Sequence, residues 1–304
     1  MRVLIVCSQN SGKIAPFIID QVDALIKSGI ECEFYTVKSK GVTGYLKSLK
    51  GLSQKINSFQ PQLIHAHYGL SGLLANLQRR VPVVTTYHGS DINNSVVFPF
   101  SRLCMFLSVY NIFVSQKNLD KSKLKKKFSL IPCGVDITVF QPVDKIKSRQ
   151  QLNLDSSEKL VLFAGAFDNP VKNSKLALEA VGMMNNVKLI ELKGYSRQQV
   201  ALLINAVDVC LLTSHSEGSP QFIKEAMSCN CPVVSVDVGD VKELTESVDG
   251  CFICSKSIED VSKQLGMAFK FNGKTTGRNK ILSSGLDQHS TISKLKMVYQ
   301  QLLK

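Results

Sequence analysis

Two glutamates eight residues apart, Glu217 and Glu225, have the types and spacing best suited to chemistry in this chain. They lie in the stretch Thr213-Ser-His-Ser-Glu217-Gly-Ser-Pro-Gln-Phe-Ile-Lys-Glu225-Ala-Met, which follows an apolar run at 207–212 that reads as a buried strand. The chain turns through Gly218 and Ser219, and Pro220 reads as the first residue of a new helix. One carboxylate then sits in a strand-to-helix loop and the other about a turn and a half into the helix. Between them lie the backbone N–H groups of a helix N-terminus, from Gly218 and Ser219 to Gln221, where a phosphate is stabilised. A carboxylate accepts hydrogen bonds from two adjacent hydroxyls, which sugars and riboses offer. Two hydroxyl readers flanking a phosphate cradle suit a nucleotide sugar. The plain alternative is a loop charge and a solvated helix face.

Other segments carry polar groups at strand ends. Ser8-Gln-Asn-Ser11-Gly12 closes the first strand, and its small residues let backbone N–H groups approach an anion; an ordinary strand–helix turn explains it equally. His65-Ala-His67 ends a third strand, where both histidines share one face and metal binding has to be weighed. Against a metal, no Glu, Asp or Cys is spaced to complete the site. His88-Gly-Ser-Asp91 ends the fourth strand and reads either as a reactive loop or as a polar cap on the strand end.

These residues need a scaffold, and the chain alternates strand and helix as a parallel sheet with covered faces requires. Strands are expected at 2–7, 31–37, 63–67, 83–88, 111–115 and 129–132, then at 159–165, 188–194, 207–213, 232–237 and 250–254. A helix at 14–28 carries apolar Ile14, Phe17, Ile18, Val22, Leu25 and Ile26, with Lys27 and Gly29 at its stop. Residues 133–155 show little periodicity and read as a linker. The expected domains are 1–143 and 144–288, with a last helix at 291–303. Two α/β halves imply a cleft between the carboxyl ends of two sheets.

Composition sets limits. A chain of 304 residues with 44% hydrophobic and 20% charged residues suits two globular domains. No apolar run approaches the roughly 18 residues of a membrane span. The start, Met1-Arg-Val-Leu-Ile-Val-Cys7, is too short for a signal peptide, so a cytoplasmic location is expected. The nine cysteines lack zinc-site spacing and read as reduced thiols, with Cys251-Phe-Ile-Cys254 inside a strand. The net charge of +13 is concentrated around Lys117 and Lys121-Ser-Lys-Leu-Lys-Lys-Lys127, with Arg79 and Arg80 in the same half. No nucleic-acid-binding motif accompanies it, so an anionic membrane surface and simple solvation compete as explanations.

The stretch around Glu217 and Glu225 resembles the E-x7-E signature of retaining glycosyltransferases with the GT-B fold, often called glycosyltransferase family four. The likeness extends to Cys231-Pro-Val-Val-Ser, to the H-x-H and H-G-x-D loops at His65 and His88, and to Ile131-Pro-Cys-Gly-Val-Asp136 with Phe140 and Pro142, where Cys133 replaces the usual asparagine. The resemblance implies two Rossmann-like α/β/α domains facing each other across a cleft, with the terminal helix, 289–304, packed back on the first. It assigns Glu225 to the ribose hydroxyls, Glu217 to the hydroxyls of the transferred sugar, and the backbone at Gly218, Ser219, Pro220 and Gln221 to the sugar and phosphates. Lys172 matches the lysine that grips the donor diphosphate, His88 the histidine at the reacting sugar, and Ser11-Gly12 the small-residue loop between donor and acceptor. The family's arginine after Gly165 is missing, because Ala166 and Phe167 stand there, a loss of about 1.5–3 kcal/mol on a pyrophosphate unless Asn173, a backbone amide or Arg197 compensates.

The resemblance further implies retention at the anomeric carbon, no metal or other cofactor, and a glycan or lipid-linked acceptor in cell-surface polysaccharide or lipopolysaccharide synthesis. Peripheral contact with the anionic inner membrane face is expected, and no nucleic-acid partner. The rivals are a GT-B sugar-nucleotide epimerase and a non-catalytic nucleotide- or glycan-binding relative.

Overall fold

A computed structural model describes the chain except for Ser11, Ser39, Lys40, Ser156, Asn272 and Lys274, and except for the side chains at 41–43 and 46. The chain divides into two units, Met1–Gly134 with Gln288–Lys304, and Val135–Asp287.

The first unit holds six parallel strands: β1 (Arg2–Ser8), β2 (Glu31–Val37), β3 (Leu63–His67), β4 (Val83–Tyr87), β5 (Tyr110–Phe113) and β6 (Phe128–Leu130), in the order β2-β1-β3-β4-β5-β6. Alternate residues of β1 feed opposite faces, as a period of two requires. Val3, Ile5 and Cys7 pack with Ile18, Val22 and Leu25 of the helix Pro16–Lys27. Leu4 and Val6 pack on the other face with Leu52, Ile56 and Phe59 of the helix Gly41–Phe59. The last helix, Gln288–Leu302, adds Ile292, Leu295, Val298 and Tyr299 to the first of these cores. Gln288 Nε2 donates to Asp20 O at 2.6 Å and Lys296 Nζ to Ser28 O at 2.9 Å, holding that helix beside Pro16–Lys27.

The second unit holds five parallel strands: β7 (Lys159–Phe163), β8 (Val187–Glu191), β9 (Val209–Leu212), β10 (Val233–Val236) and β11 (Cys251–Cys254), in the order β11-β10-β9-β7-β8. In both sheets the chain first builds to one side of the opening strand and then crosses to the other. The order therefore reverses between β1 and β3 and between β7 and β9. A doubly wound sheet opens a crevice at such a switch point, beyond the carboxyl ends of the strands.

Two expectations need correction. The segment 133–155 is no linker, and the first unit ends at Gly134 rather than at 143. Val135 and Phe140 belong to the second unit's core, and residues Lys145–Gln151 form a helix. A buried arginine, Arg149, and a half-buried one, Arg278, rather than an apolar stripe, fix this segment. Arg149 donates to Ala206 O at 2.8 Å, Asp155 O at 3.1 Å, Glu158 O at 3.0 Å and Asp208 Oδ2 at 2.9 Å. Arg278 donates to Phe140 O at 2.9 Å and Ile137 O at 3.0 Å. Arg278 itself lies in the helix Gly277–Ser283, inside the polar stretch 272–288 that carries no periodic signal. All nine cysteines are free thiols.

Candidate functional site

In the second unit, the loops after β7 and β9 meet at the switch point. Gly165, just past β7, has φ +152, and a Cβ there would stand 2.9 Å from Lys172 Cγ. The bare glycine lets the Lys172 side chain lie across the loop. Pro170–Lys172 forms a 3₁₀ turn that ends on Asn173 in the left-handed conformation, φ 54, directly before the helix Ser174–Gly182. Thr213 Oγ1 donates to both Lys172 O and Asn173 O at 3.0 Å, and His215 N donates to Val171 O at 2.9 Å. The two loops are thus stitched together by their own polar groups.

Lys172 Nζ reaches Glu217 Oε1 at 2.7 Å, and Ser214 Oγ donates to the same oxygen at 2.7 Å. A third loop closes from β10. Gly239, φ +58, lies so near that a Cβ would stand 2.5 Å from Gly218 O. Asp240, next in the chain, is buried, and burial raises its carboxyl above the usual range while the Lys224 charge and the Ser219 hydroxyl pull it down. Lys224 is fully buried behind the loop.

The helix begins at Gln221, with Pro220 one place earlier as its N-cap and no side-chain cap. Pro220 contributes no N–H, so amides in this turn come from Gly218, Ser219 and Gln221. Glu225, on the same helix, is 3% exposed and accepts from Arg197 Nη2 at 2.8 Å. The Arg197 guanidinium stands 4.5 Å from the Phe140 ring centroid. Arg197 thus pairs with Glu225. At the place of the absent arginine, Phe167 donates its N–H to Glu191 Oε1 at 2.6 Å and sets its ring 5.4 Å from that of Phe163.

In the first unit, the ends of β3 and β4 carry a histidine cluster. His65 and His67 alternate with Ala66 on one face and are fully buried. His65 Nδ1 meets Tyr299 Oη of the last helix at 2.5 Å, and its Nε2 meets Thr86 Oγ1 at 2.7 Å. His67 Nδ1 meets His88 Nε2 at 3.0 Å. Burial pushes the His65 imidazole down to about 3 and that of His67 well below its ordinary value. The His88 ring contacts those of Phe17 and Tyr68, with centroids 4.9 and 4.7 Å away, and Cys133 Sγ stands 3.7 Å from its Nδ1.

Asp91 takes the strand-end role. Its carboxylate accepts the N–H groups of His88, Gly89 and Gly69 at 3.0, 2.9 and 3.1 Å, and burial raises it to about 6. These bonds aim the loop that carries His88. Beyond β1, Gly12 adopts φ +91 and bonds back to Gln9 O at 3.0 Å, while Ser11 lies outside the described residues. Among the described residues no three His, Cys, Asp or Glu side chains form a metal-holding group.

Of the candidates from sequence, Lys172, Asn173, Glu217, Gly218, Ser219, Pro220, Gln221 and Glu225 share the second unit, and Gly12 and His88 the first. Ser214 stands in the same loop as Glu217 and carried no signal that set it apart, while Asp240 and the Arg197–Glu225 pairing went unread because they join the site from other strand ends.

Residues 160–269 match the family model of glycosyl transferases group 1, and residues 3–139 that of glycosyltransferase family 4. The glycosyltransferase TuaC of Bacillus subtilis (strain 168), named for teichuronic acid biosynthesis, is 26% identical over 251 residues, 71% of this chain and 63% of that protein. The chain thus spans less than two thirds of that relative. Sucrose-phosphate synthase from Thermosynechococcus elongatus superposes with a TM-score of 0.85 at 16% identity, covering 99% of each chain. Anabaena Alr3699/HepE, solved in complex with UDP and glucose, gives 0.77 at 18% identity over 99% of this chain and 100% of that one. At such identities the structures speak for the fold, and the two family models speak for descent. The chain belongs to the group 1, family 4 glycosyltransferases, with the two parallel α/β sheets of the GT-B fold.

Proposed function

We propose that the protein transfers a sugar from a nucleotide-diphosphate sugar to a glycan or lipid-linked acceptor, with retention of anomeric configuration, in cell-surface polysaccharide or lipopolysaccharide synthesis. One observation carries the proposal: at the second unit's switch point Lys172 and Ser214 hold Glu217, and Arg197, from beyond β8, holds Glu225. Lys172 lies where it neutralises a leaving diphosphate, the charge a metal would otherwise balance, so the reaction needs none. Glu217, already accepting from Ser214, reads the hydroxyls of the transferred sugar, and Glu225 those of the ribose. The turn at Gly218, Ser219, Pro220 and Gln221 surrounds sugar and phosphates, with Asn173 beside Lys172. In the first unit, Ser11-Gly12 serves as the loop between donor and acceptor, and His88 meets the reacting sugar. HepE, with UDP and glucose in its structure, supports a nucleotide sugar as donor. TuaC, named for teichuronic acid biosynthesis, supports a biosynthetic setting of that kind.

Contact with an anionic membrane surface belongs to the same proposal. The helix Phe98–Leu107 turns Phe100, Leu103 and Phe106 outward at three-residue spacing, Phe106 being 85% exposed. Lysines 121–127 run alongside: Lys121 Nζ stands 6.0 Å from the Phe98 ring, and Asn111 Nδ2 bridges Met105 O and Lys127 O. An apolar stripe beside exposed lysines suits an anionic lipid surface.

The test is thermal unfolding in EDTA with UDP, GDP, ADP, CDP and their common sugar conjugates. At a hundred times its dissociation constant a bound nucleotide stabilises by about 2.7 kcal/mol. One nucleotide is expected to raise Tm without metal, and Glu225→Ala to abolish the rise. Absence of any rise would place the chain with the non-catalytic relatives. Product analysis with and without acceptor separates transfer from epimerisation.

A further inference from the structure

Two fully buried histidines lie behind His88, and only one of them touches it. His67 Nδ1 meets His88 Nε2 at 3.0 Å, so a single proton is shared across that contact. The other His67 nitrogen, Nε2, is enclosed and has no hydrogen-bond partner among the described residues. Because the ring is held neutral by its burial, it carries one proton and there are two places to put it. On Nε2 it would be a buried N–H donor with nothing to receive it, an arrangement folded proteins avoid more strictly than an unused lone pair. On Nδ1 it donates to His88 and leaves only the lone pair enclosed. His65 cannot alter this choice, since its nitrogens are taken by Tyr299 and Thr86 and it meets His67 only by stacking, 4.5 Å between ring centroids.

We infer that His67 is a positioning residue that fixes the tautomer of His88: His67 donates from Nδ1, His88 accepts at Nε2, and His88 therefore carries its own proton on Nδ1. The consequence is chemical. With Nε2 occupied as an acceptor and Nδ1 protonated, neither nitrogen of His88 offers a lone pair to substrate. His88 acts on the sugar as a neutral hydrogen-bond donor and not as a general base. Cys133, whose sulfur stands 3.7 Å from Nδ1, fits this arrangement as a weak acceptor that a sugar hydroxyl can displace. The catalytic part of the inference rests on the proposed placement of His88 at the reacting sugar; the tautomer itself does not.

Long-range ¹H–¹⁵N correlation of histidine rings in ¹⁵N-labelled protein, read near neutral pH without donor, tests it. His88 is expected to show a protonated Nδ1 and a bare Nε2. His67→Asn keeps an amide donor in place of Nδ1 and should preserve the pattern; His67→Leu should lose it. A protonated Nε2 in the wild-type protein, or the wild-type pattern persisting in His67→Leu, overturns the assignment. In turnover, His67→Asn should rescue kcat relative to His67→Leu, which is expected to fall about tenfold or more with KM for donor little changed. If the spectra follow the inference while His88→Ala leaves kcat intact, the tautomer stands and the placement of His88 at the sugar fails.

Discussion

Glu217 pairs with Lys172 and Glu225 with Arg197, yet the pairs differ in how much water they keep. The Lys172 and Glu217 side chains are 24% and 17% exposed, those of Arg197 and Glu225 24% and 4%. A carboxylate so enclosed needs its counter-charge, and the flat guanidinium, stacked on Phe140, supplies it in fixed geometry. The spacing of Glu217 and Glu225 and the glycine before Lys172 are local signals, so these residues were legible from sequence. Arg197 and Asp240 reach the same site from other strand ends, and only the folded sheet brings them in. The buried histidines give a pH test. His65 stays neutral in the folded protein down to about 3, whereas an unfolded histidine takes its proton near 6.5. Between those values the unfolded state binds more protons, so this group's stabilisation is complete above pH 6.5 and lost as pH falls. Asp91, raised to about 6, works in the opposite sense in part of that window, but it is common to wild type and a His65 variant and cancels in their difference. The stability of wild type relative to His65→Asn, from urea unfolding, is expected to fall by about 1.4 kcal/mol per pH unit from 6 to 4. Parallel curves would show that His65 is charged in the native state.

At the scale of elements, sequence periodicity located the strands and the helices near Ile14 and Thr291, because apolar side chains recur there with the period of the element. It missed the helices Lys145–Gln151 and Gly277–Ser283, whose places are set by inward-turned arginines, Arg149 buried and Arg278 half-buried, hydrogen-bonded to backbone carbonyls. No hydrophobic pattern reports an arginine turned inward. The role of Arg149 can be separated from that of the site. Its partners include Asp208, just before β9, and Glu158, just before β7, so it braces the amino ends of the strands whose carboxyl ends carry Lys172 and Glu217. Arg149→Leu leaves carbonyls and the Asp208 carboxylate without this partner and is expected to lower stability by about 3–4 kcal/mol. Urea unfolding should show the loss, while the affinity of the surviving folded protein for its nucleotide changes by less than about twofold. A much larger loss of affinity would mean that the two ends of the sheet are coupled.

Over the whole molecule the charge of +13 is the largest feature that neither the fold nor the donor site requires. Self-repulsion opposes compaction, so a surplus of this size calls for either solubility or an anionic partner. No helix among the described residues is long and apolar enough to cross a membrane. Lys123, Lys125 and Lys126 are exposed, in the segment whose Lys121 Nζ stands 6.0 Å from the Phe98 ring, at the start of the helix that turns Phe106 outward. If that surface meets anionic lipid, each lysine contributes about 1 kcal/mol, and replacing all three by alanine should weaken binding to phosphatidylglycerol-containing vesicles roughly a hundredfold. Raising salt from 0.1 to 1 M shortens the screening length from about 10 to about 3 Å and should have a similar effect. Phe106→Ser should weaken the binding that survives at high salt, because that part is apolar burial. Sedimentation with neutral and anionic vesicles reads all three. Equal binding to both kinds of vesicle, or no response to the triple substitution, would assign the lysines to solubility alone and leave the acceptor to be sought among soluble glycans.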